Sequence, residues 1–193
     1  MNARDAILER LRGARIAPVA LPPLEGGWIR YADPVEEFRA AVARAAGRVV
    51  SASSAAHVPL VIAELEVVRA AAVCCSLLSS VPGAELPTEP SGYRHVDVLV
   101  LGADLGVAEN GAVWLDGGRL PARAGLFLAE HLVIALAEHD IVDNMHVAYE
   151  RLGARLGEVG YGCFMSGPSK TADIEQALVI GAQGPRSLTL VCY

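Results

Sequence analysis

The sequence predicts an α/β fold in three layers, a mostly parallel sheet with helices on both faces, preceded by a helical and Pro-rich amino-terminal arm. Three observations predict it. Short aliphatic runs at Arg48–Ser51, Val96–Leu101, Leu132–Leu136 and Leu188–Cys192 have the length and composition of strands buried on both sides. In the second half these runs alternate with helical patterns, which calls for crossovers between parallel strands. The composition, 53% hydrophobic but only 5% aromatic with 19 glycines, builds a core from Ala, Val, Leu and Ile between closely packed layers. A chain of 193 residues buries enough surface for one such core without metal or disulfide staples.

Taken in order, residues 2–13 read as a helix with Ile7, Leu8 and Leu11 on one side and Gly13 as the stop. A connector with Pro18, Pro22, Pro23 and Gly26-Gly27 follows, since proline blocks both helix and sheet pairing. The division is therefore an arm over residues 1–32 and a domain over 33–193. Asp33, Pro34 and Glu36 form a capping box with proline at the first position, opening a helix whose apolar stripe is Val35, Phe38, Val42 and Ala45 and whose end is Gly47. Pro59–Arg69 reads as a second helix, and Ala70–Leu78 fits helix or strand equally. Asp104–Glu109 and Ala112–Leu115 flank Asn110-Gly111, the pair that favours a tight hairpin turn. Asp140–Leu156 reads as one long amphipathic helix through Ile141, Met145, Ala148, Tyr149 and Leu152. Gly162–Met165 reads as a strand, Thr171–Val179 as a helix, and Leu188–Cys192 as the closing strand.

Charge and cysteine usage exclude several classes. A net charge of −6 argues against nucleic-acid binding, which needs a basic face to displace counterions. The charged amino terminus does not resemble a signal peptide, and Val67–Val81 is too short and carries Arg69, so no membrane span is expected and the chain is placed in the cytoplasm. Cys74, Cys75, Cys163 and Cys192 form no Cys-x-x-Cys pair and read as reduced, buried small hydrophobes, so neither a metal nor a cluster is expected on this chain.

Three constellations carry candidate chemistry. At Ser166-Gly-Pro-Ser-Lys-Thr171 a strand breaks and a helix is expected to begin. Free amides and a positive dipole end there suit an anion, with the Ser169 and Thr171 hydroxyls and the Lys170 charge in support. Such loops usually face ligands from the carboxyl ends of strands. Asp173 and Glu175 answer the same dipole, so an ordinary capped helix explains the pattern equally well. At Glu109-Asn110-Gly111 a carboxylate stands at a sharp turn, either exposed for nucleophilic work or simply solvated beside a hairpin. Gly181–Pro185 brings bare backbone toward the first loop, where it would add N–H donors, or merely terminates a helix. Of the histidines at 57, 95, 131, 139 and 146, only His131 is singled out.

Ser166-Gly-Pro-Ser-Lys-Thr-Ala-Asp-Ile-Glu175 followed by Gly181-x-x-Gly184-Pro185 resembles the signature of LUD-domain proteins of the lactate-utilisation protein C type. Ala108-Glu-Asn-Gly111 resembles that family's Ala-Glu-Thr-Gly, and Arg123 through Leu128 to His131 resembles its Arg…Leu-Leu-Pro-x-His segment. Residues 95–193 match well and the first half only in outline. Asn110 replaces the usual Thr, Ala129 the usual Pro, and Gln183 the usual His.

The resemblance implies a fold of the NagB/RpiA/CoA-transferase-like type. It also implies an accessory role in oxidising L-lactate to pyruvate beside iron–sulfur subunits that carry the clusters, this chain binding no cofactor. The expected ligand is a small carboxylate or other anion, held by Asn110, Gly111, Arg123, His131, Ser166, Gly167, Ser169, Lys170, Thr171, Asp173 and Gly184. Glu109-Asn-Gly is also similar to the Ser-Glu-Asn-Gly of class I CoA-transferases, which implies an alternative: acyl transfer through an anhydride on Glu109. A third reading is a non-catalytic module that docks partner subunits.

Overall fold

A computed structural model describes residues 2–14, 26–171 and 178–193. The amino-terminal helix α1 (Ala3–Gly13) is capped by Asn2, whose side chain accepts from the Asp5 amide at 2.9 Å. The expected capping box forms: Asp33 accepts the amides of Val35 and Glu36 at 3.0 Å each, and Pro34 opens α2 (Pro34–Arg44). Strand β1 (Arg48–Ser51) follows. The next segment divides into α3 (Val58–Glu64) and α4 (Glu66–Ala70), because Leu65 turns extended between them at φ −64, ψ 131. The ambiguous stretch resolves as strand β2 (Cys74–Ser76).

Strand β3 (Val98–Gly102) leads into the expected hairpin of β4 (Leu105–Val107) and β5 (Ala112–Asp116), paired antiparallel across Asn110-Gly111. A short helix α5 (Gly125–Leu128) precedes β6 (His131–Leu136). The expected long helix over 140–156 is not continuous. Ile141 and Val142 form β7 (Ile141–Val142) by pairing with Gly106 and Val107, and α6 (Met145–Leu152) starts only where Asn144 caps the Val147 amide. Gly153 ends α6, and α7 (Arg155–Glu158) is a separate turn. Strand β8 (Gly162–Met165) stands as expected. Thr171 does not open a helix: β9 (Lys170–Thr171) pairs antiparallel with β10 (Val179–Ile180), Thr171 against Val179. Residues 172–177, Asp173 among them, lie outside those described. Strand β11 (Ser187–Cys192) closes the chain order.

The main sheet runs β1-β11-β6-β3-β2 with every neighbouring pair parallel, the mostly parallel sheet that the aliphatic runs predict. Alternation along its strands sorts side chains to two faces. Leu99, Leu101, Leu132, Ile134, Leu188 and Leu190 pack with Phe38 and Val42 of α2 and Leu126 of α5. Val98, Val100, Val133 and Val191 face the opposite way, onto Val58 and Ile62 of α3. Helices thus cover both sides of the sheet in three layers. A second sheet, β7-β4-β5-β8, leans on the α2 side, and its far face packs Leu105, Val107 and Trp114 against Ala148 and Leu152 of α6. No helix among the described residues is long and apolar enough to cross a membrane.

Candidate functional site

Two turns seat themselves on the carboxyl-terminal half of α2. Gly111 has φ +67, and a β-carbon there would lie 2.6 Å from the Val42 amide nitrogen and 2.8 Å from the Ala41 carbonyl carbon. Gly167 has φ +71, and its β-carbon would lie 2.1 Å from the Ala45 carbonyl oxygen. Both positions require glycine, for the left-handed backbone and for the close approach. The same packing joins the two segments: the Ser166 hydroxyl donates to the Asn110 carbonyl at 2.7 Å, while the Asn110 side chain accepts from the Ala112 amide at 3.0 Å. Since α2 delivers the chain into the start of β1, this junction lies at the amino edge of the main sheet. The Ser166 loop does follow strand β8, but relative to the parallel sheet it stands at the edge opposite to the one expected.

Glu109 points elsewhere. Its Oε1 accepts from the Met145 amide at 2.9 Å, and its own amide donates to the Asp143 carbonyl at 3.0 Å. It therefore helps Asn144 to satisfy the first amides of α6. Residues of the arm close over this corner. The Tyr31 amide donates to Asp143 Oδ1 and Asn144 Nδ2 donates to the Ile29 carbonyl, both at 2.8 Å, and Trp28 stacks on His146 with ring centroids 3.5 Å apart. Desolvation, then the carboxylates of Glu37 and Glu109, push the Tyr31 hydroxyl pKa above its ordinary value.

The two halves of the signature meet through backbone. The Ser169 amide donates to the Pro185 carbonyl at 2.9 Å, and the Gly181 amide donates to the Ser169 carbonyl at 2.8 Å. Gly184 sits against the Ser169 side chain; a β-carbon there would lie 3.1 Å from Ser169 Cβ. The approach of bare backbone expected of Gly181–Pro185 is thus real, although it consumes the Ser169 amide instead of freeing it. Beside this junction an open groove of about 410 Å³ is lined by Arg94, Phe127, Glu130, Gly184 and Arg186 among others. Arg186 pairs with Glu130 at 2.5 Å, and Arg94 makes no ion pair among the described residues. Next to the groove His131 Nδ1 lies 2.7 Å from the Ser187 hydroxyl, and its Nε2 is 3.9 Å from Glu130 Oε1. Two guanidinium groups at one groove can bind a small carboxylate in bidentate fashion.

Of the residues singled out in the sequence, Asn110, Gly111, Ser166 and Gly167 gather at the α2 junction. Ser169 and Gly184 touch, and His131 stands at the same sheet edge. Lys170 and Thr171 are strand residues. Arg123 is not with them: its guanidinium lies 5.1 Å from the Tyr161 ring. Arg94, Glu130 and Arg186 carry the groove's charge; Glu130 falls inside the Arg123–His131 segment and Arg186 directly follows Pro185 of the signature, whereas Arg94 has no signal in the sequence.

Comparison with known proteins gives a consistent picture. A family model described as LUD domain matches residues 93–193. Lactate utilization protein C of Geobacillus sp. (strain WCH70) is 34% identical over 111 residues, 52% of this chain and 46% of that protein. The protein of the same description from Halalkalibacterium halodurans is 37% identical over 96 residues, 48% of this chain and 42% of its own length. The Deinococcus radiodurans counterpart is 29% identical over 108 residues, 55% and 51% of the two chains. The chain therefore spans about half the length of the curated relatives it matches. The crystal structure of a DUF162 family protein from Deinococcus radiodurans superposes with a TM-score of 0.64 at 17% identity, covering 83% of this chain and 96% of that one, which shows a shared fold.

Proposed function

Because the chain belongs to the LUD domain family, we propose that it serves lactate utilisation as an accessory subunit of an iron–sulfur L-lactate oxidation system, holding a small carboxylate at the amino edge of its main sheet. The observation that carries the reading is the closure of Ser166–Thr171 onto Gly181–Pro185 beside the groove of Arg94 and Arg186. The family's signature and the groove's positive charge are thereby neighbours. Arg94 supplies a guanidinium with no ion pair among the described residues, Arg186 one shared with Glu130, and Ser169 a hydroxyl at the rim. The clusters that accept electrons from lactate would reside on partner subunits.

Calorimetry with lactate, pyruvate and CoA tests the groove. A carboxylate that binds the wild type should bind Arg94→Ala and Ser169→Ala about tenfold or more weakly, the worth of a lost charge-assisted hydrogen bond. Identical heats for all three proteins would reject the groove. Co-purification with the iron–sulfur proteins of a lactate oxidation system tests the accessory role separately. Glu109 is read as a cap of α6, not as an acyl carrier, because its carboxylate already accepts the Met145 amide. Labelling of Glu109 by hydroxylamine after incubation with acyl-CoA would reverse that assignment.

A further inference from the structure

A second, more enclosed cavity lies at the opposite edge of the main sheet. It occupies about 240 Å³ between the carboxyl ends of β2 and β3 and the end of β5. Leu77, Leu101, Leu115 and Leu126 wall it, and Gly102 leaves one side bare. Leucine-lined space of this kind holds hydrocarbon: a cavity of ~150 Å³ accepts benzene, so this one admits an aliphatic group of comparable or larger size. The carboxyl ends of parallel strands are also where open α/β sheets take their ligands.

The same cavity is lined by one anion and one cation, Asp116 and Arg119. Their closest approach, Arg119 Nε to Asp116 Oδ2, is 3.8 Å, too long for a hydrogen bond. Arg119 is held in place from its far side by Asp104, at 2.8 Å from each terminal nitrogen, and Arg155 shares that carboxylate at 2.9 Å. The Arg155 charge offsets Asp104, so Arg119 keeps a net positive field, and its Nε–H and remaining terminal hydrogens stay available. Asp116 Oδ1 accepts the Gly118 amide at 2.8 Å, which fixes the carboxylate and leaves its second oxygen open to a ligand.

We propose that this cavity binds an aliphatic α-amino acid of about leucine's size, its side chain among the leucines, its carboxylate on Arg119 and its ammonium on Asp116. A zwitterion matches a wall that carries one charge of each sign. A simple monocarboxylate would use the Nε–H of Arg119 but bring a second anion beside Asp116, and a simple amine would use Asp116 Oδ2 but leave that Nε–H without a hydrogen-bond acceptor. The site shares no residue with the groove proposed above, and neither reading depends on the other.

The test is calorimetric titration of the full chain with L-leucine, its α-keto acid, isopentylamine and L-alanine. Leucine should bind, and each analogue, lacking ammonium, carboxylate or tail, should bind about tenfold or more weakly. Arg119→Gln and Asp116→Asn should weaken leucine by about tenfold to a hundredfold. Arg119 is half exposed, and Asn retains an oxygen for the Gly118 amide, so both variants should fold, which melting curves check. Gly102→Val should abolish binding without touching either charge; the first atom its β-carbon meets is Leu78 Cδ2 at 3.5 Å, an ordinary contact. The proposal is overturned if leucine gives no heat, if the keto acid or alanine binds as well as leucine, or if Gly102→Val leaves binding intact.

Discussion

Replacing Gly111 with alanine should be among the most damaging single-methyl changes in this chain, and its cost can be built from the geometry. The residue sits at φ +67, where a side chain costs about 1–2 kcal/mol. The added carbon would lie 2.6 Å from the Val42 nitrogen and 2.8 Å from the Ala41 carbonyl carbon, which are helix backbone and have no rotamer to yield. The hairpin must therefore lift from α2, and α2 carries Phe38 and Val42, both fully buried in the main core. Overpacking of that kind costs roughly a further 1–3 kcal/mol. The sum, about 2–5 kcal/mol, is a large share of the ~5–15 kcal/mol that holds a domain together. Thermal melting should show a drop of roughly 4–20 °C at this chain length. Urea unfolding gives the free energy directly, with Gly157→Ala as control: that glycine is helical and has open space around it, so alanine should be neutral or stabilising by up to ~1 kcal/mol. A Gly111→Ala protein within about 0.5 kcal/mol of wild type, the scatter of neutral surface changes, would refute the argument that the turn is seated on helix backbone.

Three further outcomes are expected. Asp33→Ala leaves the Val35 and Glu36 amides without their shared acceptor and should cost about 1 kcal/mol in urea unfolding, while Asp33→Asn recovers most of it. Glu109→Ala strips the Met145 amide of its acceptor and should cost about 1–2 kcal/mol, with Glu109→Gln close to wild type because an amide oxygen also accepts. Burial, the largest influence, pushes the Cys192 thiol up from the ordinary 9.0 to about 11; Arg39 opposes the shift and Glu138 adds to it. The unfolded thiol ionises first as pH rises, so the stability it contributes is intact below pH 9.0 and lost on the way to about 11. The loss is on the order of 3 kcal/mol, and Cys192→Ala should flatten that part of the stability profile.

The sequence is most legible where a local rule and the tertiary fold agree. Val98–Gly102 and His131–Leu136 are strands because aliphatic runs of that length are buried on both faces, and Asp33 marks its helix because capping is a matter of a few adjacent residues. Misreadings arise where pairing overrides periodicity. Ile141, Met145, Ala148 and Leu152 do recur at helical spacing, yet Ile141 and Val142 gain more by extending the β4 ladder, and Asn144 then restarts the chain as α6. Leu65 likewise divides a helix that contains no internal breaker. Thr171 follows a serine and a lysine that look like a helix opening, but its ladder partner is Val179. The glycine-bearing turns at 111 and 167 were legible as turns, whereas their common seat on α2 was not, since nothing local in 109–111 refers to Ala41 or Val42. The cluster of Asp104, Arg119 and Arg155 was invisible for the same reason: its members are dispersed and each alone is an ordinary surface charge.

The position of β11 has a consequence for how such a chain emerges from the ribosome. Residues 187–192 are the wedge between β1 and β6, so the sheet is discontinuous until that segment has cleared the exit tunnel. Until then β1 waits, after well over a hundred residues of synthesis, beside a neighbour that does not yet exist, and β6 presents an open edge of the sort that recruits foreign strands. Sequence-distant pairing of this kind slows folding. Ribosome-bound nascent chains halted before Ser187 should therefore be held by chaperones and cut readily by protease, and release from both should coincide with delivery of β11.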